Sequence, residues 1–380
     1  MNKCICRNVI DPKAKNTPYC NVQICRTTVE TSCFGVKLKA NGFPHSSQDS
    51  DTMTCAQTTI WALLEYFGNK YQCYHPTTPS EIENTLKMFS FERQLPSSGL
   101  TYNQISVALR NYGFGPKIYL KKDEESFHEL IACYIESGIP LAIALTQKGK
   151  GHALVCCGRE HIDKNDVINN VIEYNKKKFY SWNKTVAKHK FVFNDDNYPC
   201  YQEAFLKDPI SYYFIGDRNA NNRNADWNGM EIMQFTAPLY EKVYMDAARA
   251  IELSKQIISS INYTEQNVIR TFLTSSRTFR EHILKSSSFS IDQRKALLQL
   301  NLPKFVWVTE LSTPTQFYKD RVNTLLLLDA TGSKQSGLSR DILLLLTNSY
   351  YYIFDKDKMI LQGNPSSYPG EFEAFEGNLK

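Results

Sequence analysis

The chain has 380 residues, 42% of them hydrophobic, which is enough for one large domain or two of ordinary size. The formal net charge is +5, and no run of Lys and Arg exceeds the three residues Lys176–Lys178, so nothing indicates a nucleic-acid-binding protein. The longest apolar runs, Leu325–Leu328 and Ile342–Leu346, are far too short to span a membrane.

The eleven cysteines all lie between Cys4 and Cys200. The N-terminal segment lacks the apolar core of a signal peptide, so we expect a cytoplasmic protein in a reducing compartment, with mostly free thiols. A zinc site formed by Cys4, Cys6, Cys20 and Cys25 is a competing hypothesis. No pair of them has the C-x-x-C spacing that suits tetrahedral zinc, and we therefore expect no metal and no cofactor.

The first 229 residues change from a helical to a strand-like pattern along the chain. Helical spacing, caps and glycine stops predict four helices, at 55–67, 79–89, 102–112 and 126–137. Short apolar runs between turn residues predict strands at 140–145, 152–157, 191–193 and 210–215, with one or two more within 20–40. The Asn-rich segment 217–229 is the best candidate for a domain boundary.

The remaining residues repeat the helix-then-sheet order. The sequence predicts helices at 239–259 and 265–284, followed by strands at 305–311, 322–330 and 350–354. The first two of these strands, 305–311 and 322–330, are predicted to pair, with Leu325–Leu328 fully buried. The whole chain is therefore predicted to be α+β.

Cys55 stands at the start of the first predicted helix, in the stretch DTMTCAQTTIWALLEYFG. Thr54 and Gln57 fit a capping box, which makes Cys55 the first helical residue. The apolar residues that follow recur at helical spacing and predict a buried face. The positive end of a helix favours the thiolate form of a cysteine, so Cys55 is a candidate nucleophile, although a small buried residue would also fit.

A base and an acid for this thiol lie on two predicted strands. His152 opens the apolar run HALVCCG, so its ring can face a cleft at the edge of a sheet. The strand at 191–193 leads into Asn194, Asp195 and Asp196, where a carboxylate or an amide could orient the His152 imidazole. Gln48, seven residues before Cys55, could donate to the oxyanion of an acyl intermediate.

In this order and spacing, these motifs resemble those of the papain-like cysteine peptidase superfamily, and most closely its C39-like branch of bacterial peptidases. That branch has Cys-Gly or Cys-Ala at a helix start, a histidine at a strand start, and an acid in an Asn-Asp-Pro turn. The resemblance covers about residues 43–215. It implies Cys55 as nucleophile, His152 as base, Asp195 as orienting acid and Gln48 as oxyanion donor; Asp196 stands where the family often has proline, so Asp195 and Asp196 could exchange roles.

The resemblance implies a papain-like fold, in which a helical half carrying the nucleophile packs on an antiparallel sheet. We divide the chain into a cysteine-containing extension (1–40), a papain-like protease domain (41–229) and a smaller α+β region (230–380) of unassigned role. The expected activity is hydrolysis of peptide or amide bonds in a protein or peptide substrate through a thioester.

Two other functions remain open at the level of sequence. The same three residues could perform deamidation or acyl transfer, because these reactions share the acyl-enzyme. The fold could also serve as a catalytically silent binding module. Neither nucleic acid nor a membrane span is expected as part of the function, and the sequence leaves the oligomeric state open.

Overall fold

A computed structural model describes residues 8–14, 21–47, 54–88, 101–123, 126–147, 150–210, 229–261, 263, 266–332, 341–347, 351–355, 358–363 and 370–379. Within them the chain is α+β, as predicted, with sheets that are antiparallel apart from one pair of strands. The helices are α1 (Cys55–Lys70), α2 (Pro79–Lys87), α3 (Tyr102–Asn111), α4 (Phe127–Glu136), α5 (Lys164–Ile168), α6 (Trp182–Val186), α7 (Ala247–Ser259), α8 (Ser276–Lys285), α9 (Ile291–Leu298) and α10 (Pro314–Tyr318).

Nineteen strands are formed by the described residues. They are β1 (Val22–Ile24), β2 (Thr27–Cys33), β3 (Val36–Gly42), β4 (Phe114–Leu120), β5 (Leu141–Gln147), β6 (Lys150–Glu160), β7 (Val171–Tyr174), β8 (Lys177–Ser181), β9 (Lys190–Asn194), β10 (Gln202–Phe205), β11 (Glu231–Tyr240), β12 (Val268–Ser275), β13 (Phe305–Ser312), β14 (Arg321–Val322), β15 (Thr324–Asp329), β16 (Ile342–Leu346), β17 (Tyr351–Asp355), β18 (Lys358–Gly363) and β19 (Phe372–Glu373).

The first large sheet has the strand order β10-β9-β6-β5-β11-β4, and β1 also pairs with β6. The predicted strands at 140–145 and 152–157 form its centre, where β5 and β6 pair antiparallel with Leu145 opposite His152. Both strands are almost continuously buried, because α1 and α4 both pack on them. This sheet therefore carries the predicted base, His152, in the interior of the protein.

The second large sheet has the order β18-β17-β16-β15-β13-β12-β8-β7. The predicted pairing of the two C-terminal segments is confirmed, since β13 and β15 are antiparallel neighbours and the leucines of β15 are buried. Strands from both sides of the predicted boundary at Gly229 share each sheet: β11 lies in the first, and β7 and β8 lie in the second. The division of the chain into domains itself stays a prediction.

Two predicted helices are wrong in their first parts. Strand β11 ends at Tyr240 and α7 begins only at Ala247, where a helix was predicted from 239. It forms β12 before α8, where a helix was predicted from 265. Both strands are apolar, and each lies between two partner strands in a sheet. Because the partners come from distant parts of the chain, the periodicity of the local sequence does not indicate the pairing.

Helix α4 lies at the centre of the molecule, since it contacts β5 and β6 of the first sheet and β12 of the second. All of its residues except His128 are buried. At its C-terminal end, Glu136 pairs with Arg159 of β6 and lies 3.7 Å from Arg270 of β12, which in turn is 3.4 Å from Glu310. This buried charge cluster connects α4 to both sheets.

None of the helices in the described part of the chain is both long enough and apolar enough to cross a bilayer. The predicted strand at 210–215 lies outside the described residues beyond Ile210.

The charge cluster gives a prediction about stability. Replacing Arg159 by Met leaves the Glu136 carboxylate buried with only the more distant Arg270, so we expect a loss of about 3 kcal/mol in the free energy of unfolding. The matched control is Arg277→Met, which removes an arginine from an exposed pair with Glu281 and should change stability by about 0.5 kcal/mol or less. Urea unfolding measures both, and equal losses would contradict the assignment.

Candidate active site

The thiol of Cys55 lies at the first residue of α1, as predicted. Thr54 precedes it in an extended conformation, and its backbone N–H donates to Oε1 of Gln57 at 2.9 Å. This half of the predicted capping box fixes where the helix begins. Every residue from Ala56 to Phe67 is buried, whereas Cys55 itself is half-buried and so remains within reach of solvent.

The imidazole of His152 comes from β6, on which α1 packs. Its Nε2 atom lies 3.0 Å from Oδ2 of Asp195, and both side chains are almost completely buried. The His152 ring is also hydrogen-bonded to the Cys55 side chain. Because Nε2 faces the carboxylate, Nδ1 is the ring nitrogen left for the thiol.

Asp195 is held by the turn that follows β9. Asn194, the last residue of the strand, lies opposite Val155 of β6, so the next residue emerges beside the His152 end of that strand. Oδ1 of Asp195 accepts a hydrogen bond from the backbone N–H of Asn197 at 3.0 Å. One carboxylate oxygen is thus fixed by the turn, and the other is directed to the imidazole.

The electrostatics of the pair favour a protonated imidazole. Burial alone would lower the pKa of His152, but the hydrogen bonds to Asp195 and Cys55 outweigh it and raise the pKa to about 10. An imidazolium beside a thiol stabilises the thiolate. The site therefore places a histidine with a raised pKa beside a carboxylate and a thiol.

Asp196, the alternative acid in the sequence, is buried next to the pair without making the short contact to His152 that Asp195 makes. Burial raises the pKa of its carboxyl to about 7, the Asp195 carboxylate adds to this, and His152 opposes it. A small cavity of about 10 Å³ lies against Asp196, lined also by Thr58 of α1 and His45. It has room for about one water molecule.

His152, Asp195 and Asp196 also form the one group of potential metal ligands found among the described residues, with ligand atoms within 4.8 Å of one another. Nε2 of His152 and Oδ2 of Asp195 are 3.0 Å apart, a separation that suits a direct ion pair and that two neighbouring ligands of one metal ion also have. The distance by itself therefore does not distinguish an ion pair from a ligand set.

Sequence reasoning did not identify the residues that support the acid. The ring of His45 lies 3.0 Å, through Nε2, from the backbone oxygen of Asp195, and burial lowers the pKa of His45. Asn194 accepts from the backbone N–H of Tyr201 at 2.9 Å, and the Tyr201 hydroxyl accepts from the N–H of Phe43 at 2.8 Å. The contacts of His45 with Asp195 and of Phe43 with Tyr201 join residues 150 and 158 positions apart, so no local pattern signals them.

The remaining cysteines differ from Cys55. All eight described cysteines are free thiols; Cys33 and Cys73 are exposed, and burial raises the pKa of Cys25 to about 12. Gln48, the predicted oxyanion donor, lies outside the described residues, as do Cys4, Cys6 and Cys20. The oxyanion role of Gln48 therefore stays a prediction, and the zinc site stays a competing hypothesis.

Comparison with known proteins finds no family model that matches the chain and no match among curated proteins.

The raised pKa of Asp196 predicts a pH-dependent effect on stability. The unfolded chain releases this proton at lower pH than the folded protein does, so the folded state loses stability as the pH rises toward about 7. We expect Asp196→Asn to gain about 1 kcal/mol or more relative to wild type between about pH 4 and about pH 8. Urea unfolding at the two pH values measures this gain.

The control is Asp292→Asn, which changes a highly exposed aspartate on α9 and should show the same difference from wild type at both pH values. An Asp196→Asn difference that is also independent of pH would contradict the prediction.

Proposed function

We propose that the protein is a cysteine hydrolase of papain-like type, in which Cys55 is the nucleophile, His152 the base and Asp195 the orienting acid. The observation that carries the proposal is the position of the His152 ring, which contacts the Asp195 carboxylate on one side and the Cys55 thiol on the other. A histidine placed between a carboxylate and a thiol at a helix start can activate that thiol for acyl transfer.

The reaction begins from an ion pair in which Nδ1 of His152 already holds the proton given up by the Cys55 thiol. The thiolate sulfur attacks the carbonyl carbon of a peptide bond, and the C–N bond breaks as His152 returns the proton to the leaving amine. A thioester on Cys55 remains. Water, deprotonated by His152, then attacks the thioester carbon, the C–S bond breaks, and the carboxylic acid leaves as the sulfur regains the proton.

Asp195 acts through the histidine in this scheme. Its carboxylate keeps the His152 ring in one orientation and stabilises the imidazolium that forms when the thiol is deprotonated. The backbone N–H of Cys55, at the N-terminus of α1, is suited to receive the oxyanion of the tetrahedral intermediate. Gln48 is proposed as the second donor from its position in the sequence.

Two further features support a papain-like arrangement. The helix that carries the thiol packs on the antiparallel strand that carries the histidine, and the acid follows the neighbouring strand of the same sheet. The order Cys55, His152, Asp195 along the chain is that of the family it resembles. We propose a protein or peptide as the substrate, with deamidation and acyl transfer as alternatives that proceed through the same thioester.

The first test measures the reactivity of each cysteine. At about pH 6 an ordinary thiol is mostly protonated, so iodoacetamide should label Cys55 about tenfold faster than the exposed Cys33 and Cys73, as followed by peptide mass mapping. Asp195→Asn should slow the labelling of Cys55, and His152→Ala should reduce it to the rate of the two reference cysteines.

Asp196→Asn is the matched control, since it removes a neighbouring buried carboxylate that does not make the short contact to His152. It should leave the labelling rate of Cys55 unchanged. Labelling of Cys55 at the reference rate in the wild-type protein would rule out the activated thiol and favour a silent binding module.

The second test identifies the reaction. Proteomes incubated with wild-type protein should contain new N-termini that are missing after incubation with Cys55→Ala, because the hydrolysis needs the thiol. Cys73→Ala, which removes an exposed cysteine elsewhere, should behave as wild type. Gln-to-Glu mass shifts without new N-termini would instead identify a deamidase, and identical proteomes for all three proteins would contradict the proposed enzyme.

A further inference from the structure

A second candidate site lies at the other end of the helix that carries Cys55. A cavity of about 750 Å³ is formed where Lys70, the last residue of α1, meets β11, the end of β12 and the start of α8. This volume is within the range of small-molecule sites. Because α1 has 16 residues, about 24 Å of helix separates the cavity from Cys55, so a ligand in it would not be the substrate of the thiol.

The walls of the cavity are rich in aromatic rings. They are contributed by Phe67, Tyr71, Tyr74, Tyr240 and Phe305. The hydroxyl of Tyr74 is buried, and it has no hydrogen-bond partner among the described residues. Ring faces offer stacking surfaces for a flat ligand, and an unsatisfied buried hydroxyl offers it a donor.

The charges that line the cavity are mostly positive. The charged residues are Arg26, Lys70, Arg277, Lys304 and Glu281, and the single acid among them is already paired with Arg277 at 3.0 Å. Within the described part of the chain, no carboxylate lies within 4.0 Å of the ammonium groups of Lys70 and Lys304. Arg26 is paired with Asp11 and Arg277 with Glu281, so the positive charge that the described residues leave without a carboxylate partner is that of Lys70 and Lys304.

The two lysines are placed against aromatic rings instead of acids. Nζ of Lys304 lies 4.1 Å from the centre of the Tyr240 ring. Nζ of Lys70 donates a hydrogen bond to the hydroxyl of Tyr66 and lies 4.8 Å from the centre of that ring and 5.7 Å from that of Tyr71. Burial lowers the pKa of Lys70, as expected for an ammonium group that has lost water without gaining a counter-ion. An anion between these lysines would supply the negative counter-charge that their ammonium groups lack.

The start of α8 adds further positive charge to the wall of the cavity. Ser275 caps this ten-residue helix and lines the cavity together with Ser276 and Thr278. The backbone N–H of Ser276 donates to the carbonyl oxygen of Lys304 and that of Thr278 to Oγ of Ser275, so the helix contributes the partial positive charge of its N-terminus, which favours an anion.

We propose that this cavity binds a planar aromatic ligand that carries a phosphate, carboxylate or sulfonate group. The rings of Tyr71, Tyr74 and Tyr240 would contact the flat part of the ligand. Lys70, Lys304 and the start of α8 would contact its anionic group. This site is independent of the proposed chemistry at Cys55.

The test uses two fluorescent probes that differ by one charged group. 8-Anilinonaphthalene-1-sulfonate carries a sulfonate, whereas N-phenyl-1-naphthylamine has the same ring system without it. We expect the sulfonate probe to bind the full-length protein about tenfold more tightly than the neutral one, and Lys304→Met and Lys70→Met each to remove most of this preference. Lys304 is an exposed side chain, so its replacement should not impair folding.

The control variant is Lys295→Met, which removes an exposed lysine on α9 that does not line the cavity, and it should keep the preference. Equal affinities for the two probes, or a preference that survives both lysine replacements, would overturn the proposal.

Competition with phenyl phosphate and with benzoate shows which anionic group the cavity binds. Displacement of the sulfonate probe by phenyl phosphate alone identifies a phosphate site, and displacement by benzoate alone identifies a carboxylate site. Displacement by both supports a general site for aromatic anions. Displacement by neither at millimolar concentration would also overturn the proposal.

Discussion

The packing of α1 on β6 is the contact on which the candidate active site depends. It brings the first residue of a helix to a strand that begins almost 100 residues later, so that the Cys55 thiol reaches the His152 imidazole. Both side chains are carried by regular secondary structure instead of loops, which holds their separation within narrow limits. The same sheet also positions the acid, because β9 pairs with β6 and Asp195 comes directly after the last residue of β9.

The centre of the molecule keeps this contact in place. Helix α4 is buried between the two large sheets, and its Glu136 is paired across both of them with Arg159 and Arg270. Such a buried charge cluster needs all of its members, because removing one leaves another without compensation in a medium of low polarity. The strands that surround α4 include β5 and β6, so the sheet that carries His152 is supported from the interior.

Local patterns in the sequence were sufficient where a residue's environment is set by its neighbours along the chain. The start of α1 at Cys55 followed from Thr54 and Gln57, and the β5–β6 pair followed from two apolar runs around a short connection. The same approach misassigned β12 as helix and placed the last two residues of β11 in a helix, because an apolar segment becomes a strand when partners from distant parts of the chain flank it. Periodicity in one segment does not contain that information.

The sequence by itself determined which residues could act: a cysteine at a helix start, a histidine at a strand start and two adjacent aspartates after a strand. Only the tertiary structure decided which carboxylate meets the imidazole, since Asp195 and Asp196 differ by one step in a turn and so point to different surroundings. Only the tertiary structure brings the ring of His45 against the backbone of that turn. It also formed the aromatic cavity beyond Lys70, whose charged and aromatic residues come from segments spread along nearly the whole chain and are brought together by long-range packing alone.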